Sequence, residues 1–349
     1  MNVTVHQRPG VYSAYDASSV VSGSGAGKQV GLVAVYAKAA ANEVKIVTSY
    51  DGAVNAFGQG TMAELVRLAL KNGAGAVAAV PIAGGEGYAD GFAALEGLED
   101  ITAVICDSTD GDVQKAMKES VETASANRRE RIAVAAGGAE ETVDELIARA
   151  KALNHERVVL VAPGGVNQNG EAADGLGVAA AVAGAIAGES DPAVPLGGAV
   201  LTGLYGLSGR YSDGEMDRLI LGGVTPVESL AGTVGVVRGV TTRTTTGEAA
   251  DATWRDLTTI RIVDDVIPSI RSALRSKFSR AKNTPQSRGA IRAQVVLELE
   301  NKKAREIITR YENVTVTADS QDPARCLVDF SFTVAHGLNQ IWLTAHITV

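Results

Sequence analysis

The chain has 349 residues, 46% of them hydrophobic and only 4% aromatic, with a formal net charge of −8. That length accommodates two or three domains of roughly 100–200 residues, with a core of Val, Ile, Leu and Ala. The acidic balance excludes a protein that coats nucleic acid along its whole surface, and the 39 glycines follow no period, which excludes a collagen-like chain.

From the N-terminus, Val3 and Val5 alternate with Thr4 and His6, the period of a short strand. Arg8-Pro9-Gly10 breaks it, and Val11-Tyr12 resumes an extended path. The small, Gly-rich run Ser18 to Lys28 reads as a linker. From Gln29 to about Thr246 the pattern is α/β. Strands are expected over Val30 to Tyr36, Val44 to Val47, Ala76 to Ile82, Ile101 to Cys106, Arg131 to Ala136 and Val158 to Ala162. A helix is expected from Thr61, where Thr61-Met62-Ala63-Glu64 has the spacing of a capping box. Further helices are expected over Asp112 to Asn127, Glu141 to Leu153 and Ala172 to Ala187, and after a second box, Ser212-Asp213-Gly214-Glu215. Strands alternating with helices predict a largely parallel sheet covered on both faces.

After Thr246-Gly247 the character changes. Val263 to Ala281 reads as a basic amphipathic helix, started or interrupted near Pro268. Ile291 to Leu299 and Val314 to Thr317 read as strands around a polar helix, Lys302 to Tyr311, and Leu327 to Val334 as another strand. Gly337-Leu338-Asn339 then turns the chain into a last alternating strand. Ile341, Leu343, Ala345, Ile347 and Val349 lie on one side of it, and Trp342, Thr344, His346 and Thr348 on the other. The predicted organisation is an N-terminal arm and linker over residues 1–20, an α/β region over 21–246 that can divide near 96, an α+β domain over 247–336 and a C-terminal arm over 337–349.

Catalytic patterns are weak. Gly23-Ser24-Gly25-Ala26-Gly27-Lys28 resembles a phosphate loop, but Ser22 stands where its first Gly belongs and Gln29 where the magnesium-holding hydroxyl belongs. Gly84-Gly85-Glu86-Gly87 and Gly164-Gly165-Val166-Asn167 follow strands, yet neither is a dinucleotide fingerprint. His6, His155, His336 and His346 lack metal-spaced partners, and His155 reads as a cation closing a helix. Asp107-Ser108-Thr109-Asp110-Gly111-Asp112 reads as a capped helix start more readily than as a metal site. Cys106 and Cys326 are far apart, so no disulfide framework is expected and a reducing compartment is the default. The first residues show no leader pattern, and the longest apolar stretch, Leu176 to Gly188, falls short of the roughly 20 residues that span a bilayer. The expectation is a protein folded in the cytoplasm, without enzyme activity, cofactor, metal, nucleic acid or membrane insertion. The alternative is an α/β enzyme that binds a nucleotide or related ligand at its Gly-rich turns.

Two features point to assembly. Both chain ends alternate like strands without a hairpin partner beside them, so their backbone groups must pair elsewhere, within the chain or on another copy. Between Val266 and Arg292 lie Arg271, Arg275, Lys277, Arg280, Lys282, Arg288 and Arg292 with no Asp or Glu, a basic face on an acidic protein.

In order along the chain, several segments carry a resemblance. They are Arg8-Pro9-Gly10-Val11-Tyr12, Met216-Asp217-Arg218-Leu219-Ile220-Leu221-Gly222-Gly223-Val224-Thr225-Pro226, and Val236-Val237-Arg238-Gly239-Val240-Thr241-Thr242-Arg243. Trp254-Arg255-Asp256-Leu257 and the closing Ile341-Trp342-Leu343-Thr344-Ala345-His346-Ile347-Thr348-Val349 complete the set. In these the chain resembles the contractile tail sheath family of phages and phage-tail-like bacteriocins, over its first 15 and last 140 residues or so. Ala335-His336-Gly337 departs from the proline-containing turn expected before the last strand.

The resemblance implies a structural subunit that polymerises around an inner tube within a virion tail or tail-like particle. Its C-terminal domain would accept strand arms from neighbouring copies, here Val3, Val5, Val11 and Tyr12 at one end and Ile341, Leu343, Ala345, Ile347 and Val349 at the other. The tube, baseplate and tail terminator are the further implied partners, and Arg271, Arg275, Lys277 and Arg280 are the expected tube-facing residues.

Overall fold

The structure, a computed structural model, describes residues 29–38, 42–339, 342 and 344. The predicted arm residues Val3, Val5, Val11, Tyr12, Ile341, Leu343, Ala345, Ile347 and Val349, and the linker through Lys28, lie outside the described residues. In chain order the elements are β1 (Gln29–Val35), β2 (Lys45–Val47), α1 (Tyr50–Phe57), α2 (Thr61–Lys71), β3 (Ala76–Ile82), a 3₁₀ turn (Gly85–Gly87), α3 (Tyr88–Glu96), β4 (Ile101–Cys106), α4 (Gly111–Ala126), β5 (Ile132–Ala136), α5 (Val143–Leu153) and β6 (Val158–Ala162). There follow β7 (Gly165–Val166), β8 (Ala172–Ala173), α6 (Leu176–Gly188), β9 (Val200–Leu201), α7 (Asp213–Leu221), β10 (Val224–Leu230), β11 (Thr233–Val236), β12 (Thr245–Thr246) and β13 (Ala249–Ala250). The C-terminal region comprises α8 (Leu257–Phe278), α9 (Pro285–Ala304), β14 (Ile308–Ala318) and β15 (Cys326–Val334).

A nine-stranded sheet in the order β2-β3-β1-β4-β5-β6-β10-β11-β9 forms the body. The strands from β3 to β10 are parallel, and antiparallel β2, β11 and β9 close its two edges. β3 and β6 are buried along their whole length, as near-continuous apolar strands must be when helices cover both faces. The period of two sorts β1: Val30, Leu32 and Ala34 join the core under α1, α2 and α6, and Val33 joins the core under α3, α4, α5 and α7.

α6 is apolar around its circumference and buried accordingly. Its small residues let α2 approach closely; a Cβ on Gly184 would sit 2.3 Å from the Ala69 carbonyl oxygen.

Several local expectations need correcting. The Thr61 box does not form: Gly60 occupies the cap position at φ 155, Thr61 falls inside the helix, and Glu64 takes Arg67 as its partner at 2.8 Å. The Ser212–Glu215 box forms as the spacing predicts. A further box, Thr142–Glu145, opens α5 two residues later than the sequence suggested. Helix α1, capped by Ser49, has no counterpart among the predicted elements. Ala172 belongs to a short strand, and the helix predicted there starts at Leu176.

The largest differences lie near the C-terminus. α8 begins at Leu257 and continues through Pro268. Ile291 to Leu299 is helical, within α9: its β-branched run reads as a strand, but Val295 and Leu299 are four apart and both pack in the core shared with α8. Lys302 to Tyr311 is no helix. α9 ends at Ala304, Glu306 takes φ 58, and β14 begins at Ile308.

α8 joins the two cores. Leu257, Ile260 and Val263 pack with the sheet, whereas Ile262, Val266, Ile267, Ile270 and Leu274 pack with α9, β14 and β15. Charged side chains fix it on both sides. Arg157 forks onto Asp264, and Lys302 reaches Asp265 at 2.6 Å.

Candidate assembly surfaces

An open parallel sheet binds ligands at the carboxyl ends of its strands, where the strand order reverses. Here the chain leaves β1 toward β3 on one side and later returns to β4 on the other. Asp107, just after β4, fills this crevice: one carboxylate oxygen accepts the Val35 N–H at 2.9 Å and the other accepts the Tyr88 hydroxyl at 2.7 Å. Burial pushes the Tyr88 hydroxyl up, and the Cys106 thiol up to about 12, so neither offers a nucleophile at neutral pH.

The other sequence-flagged positions have structural roles. Gly84 to Gly87 leads into the 3₁₀ turn and, with Asn42 and Asp90, lines only a shallow hollow. Asp110 caps α4 by accepting the Asp112 and Val113 N–H groups. The Gly164-Gly165 turn leads into the β7–β8 hairpin. The phosphate-loop-like Gly23 to Lys28 lies outside the described residues. Among the described residues no group of three His, Cys, Asp or Glu could hold a metal, and no helix is long and apolar enough to cross a membrane.

His155 is corrected from cation to neutral ring. Burial pushes its pKa down, its Nδ1 accepts the Arg157 N–H at 3.0 Å, and its Nε2 lies 3.1 Å from Glu122.

The C-terminal region presents a different kind of surface. β14 and β15 form a two-stranded antiparallel ribbon, and among the described residues neither pairs with another strand. Val314, Val328, Phe330 and Phe332 turn inward onto the core of α8 and α9, while Arg310, Glu312, Thr315, Thr317, Asp329 and Ser331 face solvent. An isolated two-stranded ribbon is marginal in water. This one is held by its packed face, and among the described residues no strand lies along either of its long outer edges.

The predicted basic residues separate into two groups. Arg271 is turned inward against Glu130, 3.4 Å away, and burial lowers its pKa. Lys277 is exposed and donates to Gln294 at 2.6 Å. Arg275 and Arg280 are exposed where α8 ends. The inward turn of Arg271 was not legible in sequence, because Glu130 is remote in the chain and no periodicity links them.

This body and ribbon have known counterparts. The structure superposes on a subunit of the anti-feeding prophage helical sheath in its contracted state with a TM-score of 0.73, at 17% identity, covering 98% of this chain and 99% of that one. A sheath complex of an extracellular contractile injection system, PVC, gives 0.70 at 17% identity, covering 99% of each chain. A sheath tail protein from Desulfitobacterium hafniense gives 0.70 at 13% identity, covering 93% of this chain and 100% of that one. A search of the curated proteins returned no match. The fold is therefore that of contractile sheath proteins. Residues 82–242 match the phage tail sheath protein central domain and residues 249–348 the phage tail sheath C-terminal domain. The chain belongs to the phage tail sheath family.

Proposed function

We propose that this sheath subunit joins its neighbours by strand addition at the two edges of the β14–β15 ribbon. The observation that carries the reading is a ribbon whose two edges have no strand beside them among the described residues, in a chain whose ends both alternate like strands. Strand addition forms backbone hydrogen bonds whatever the side chains, and alternate side-chain pockets set the register. Val3, Val5, Val11 and Tyr12 would occupy one edge of a neighbour's ribbon, and Ile341, Leu343, Ala345, Ile347 and Val349 an edge of another's.

Such joints transmit no rigid orientation, so linked subunits can rotate while the lattice stays connected. The chain then acts without catalysis: it surrounds an inner tube, held to a baseplate and terminator in a tail or tail-like particle assembled in the host cytoplasm, and shortens to drive the tube through an envelope. Arg275 and Arg280 face the tube in the extended state, in a contact weak and salt-sensitive enough to break on contraction. Arg271 positions the helix that carries them, and Lys277, exposed on the same helix, adds its charge.

Electron microscopy of the purified chain, alone and with its tube, tests this. Rings or tubes that enclose the tube are expected. Compact single particles whose melting responds to nucleotide would replace the sheath reading with the enzyme one.

A further inference from the structure

The surface charges are unevenly distributed over the molecule. Seven cations and no carboxylate lie between Asp265 and Glu298, on the second half of α8, the segment that follows it and the first half of α9. Lys277, Arg288 and Arg292 bond to Gln294, Asn283 and the Val314 carbonyl. Those neutral acceptors hold the side chains without cancelling their charge. Arg275, Arg280 and Lys282 are exposed beside them. α8 reaches this position by anchoring at the amino ends of the strands: Asp264 binds Arg157, just before β6, and Arg271 faces Glu130, just before β5.

At the carboxyl ends exposed carboxylates predominate, with exposed cations such as Lys38, after β1, and Arg210, before α7, among them. Glu86 and Asp90 follow β3, Asp110 follows β4, Glu140 follows β5, and Asp213 and Asp217 stand on α7, which descends from the same edge to β10; all six are exposed. Part of this charge offsets the positive N-terminal ends of α3, α4 and α7. Glu86 and Glu140 stand just ahead of the caps of α3 and α5, outside the helices, and their exposed carboxylates add to the rim.

We infer that the acidic rim of one copy docks on the basic α8–α9 hairpin of the next. The hairpin is anchored at the amino ends of the strands and the rim lies at their carboxyl ends, so the rim's match is a second copy. A contact between two different faces is heterologous and open-ended, which generates stacks and not closed pairs. This rests on the reading that the chain polymerises, and adds to strand addition a second contact that salt weakens. The inner tube and the neighbouring rim draw on the same Arg275 and Arg280, so the two contacts exclude one another and belong to different states of the sheath.

The test uses the full chain without tube, measured by sedimentation and light scattering at about 50 mM and about 500 mM salt, on either side of physiological screening. The polymerisation constant should fall on the order of tenfold with salt. R275E/R280E and E86K/E140K should each lose a similar factor at low salt, with circular dichroism melts unchanged. An equimolar mixture of the two variants should recover the parent's value, because reversed rim then meets parental rim's partner with its sign also reversed. If both variants polymerise like the parent at low salt, or if the mixture of folded variants fails to recover, the rim–hairpin contact is overturned while strand addition stands. A parent chain that stays monomeric at both salts overturns the polymerisation reading itself.

Discussion

Arg157 and Asp264 form a two-pronged ion pair, Nη1 to Oδ2 at 2.5 Å and Nη2 to Oδ1 at 2.8 Å, which ties the start of β6 to the middle of α8. The pair spans the boundary between the stretches that match the central and C-terminal sheath domains. Burial pushes the Asp264 carboxyl up, and Arg157 pulls it back toward the ionised form. Asp264→Ala would leave a buried guanidinium without this partner and should cost about 3–5 kcal/mol. Chemical denaturation of a non-polymerising form measures this. Replacing both residues with apolar side chains should recover most of the loss.

The same helix predicts how the chain can be cut. Trp254, Leu257, Ile260 and Val263 are buried in the core of the sheet, so a fragment beginning at Ala249 would expose them. It should expose apolar surface, bind a hydrophobic dye and melt without cooperativity. A sharp two-state melt of that fragment would show that α8 does not need the sheet.

Close approach of α2 and α6 depends on Gly184. Gly184→Ala places a methyl against the Ala69 carbonyl and should destabilise by about 1–3 kcal/mol through overpacking. The effect should appear as a lower denaturation midpoint.

His155 gives a pH dependence of known sign. Its native pKa is lowered by burial against the pull of Glu156 and Glu122, with Arg157 and Lys118 opposing them. As pH falls below about 6.5 the unfolded chain binds a proton that the native chain does not, so stability falls. The slope contributed by this one group should approach about 1.4 kcal/mol per pH unit until the lower native value is reached. His155→Gln should flatten the stability profile over that window.

What could be read in advance follows from how local each signal is. Ile101 to Cys106 and Val158 to Ala162 are short apolar runs with turn residues on either side, and both strands fall where the pattern placed them. Ser212 and Glu215 bond each other across one turn, so their spacing alone sufficed. Ile291 to Leu299 misled because its branched residues suit a strand, and only packing of Val295 and Leu299 on α8 decides for a helix. Thr61 misled because the conformation of Gly60 moved the helix start. The inward pairing of Arg271 with Glu130 depends on a tertiary contact. Spacing cannot encode it, so the basic run looked more uniform in sequence than on the folded surface.

Truncation before Ile341, read by electron microscopy alongside a thermal melt, tests the central claim most directly. Strand addition predicts a shortened chain that melts as the full chain does and forms no tubes or rings. Tubes of normal length from the shortened chain, or loss of its cooperative melt, would contradict the assignment of that segment to a neighbour's ribbon.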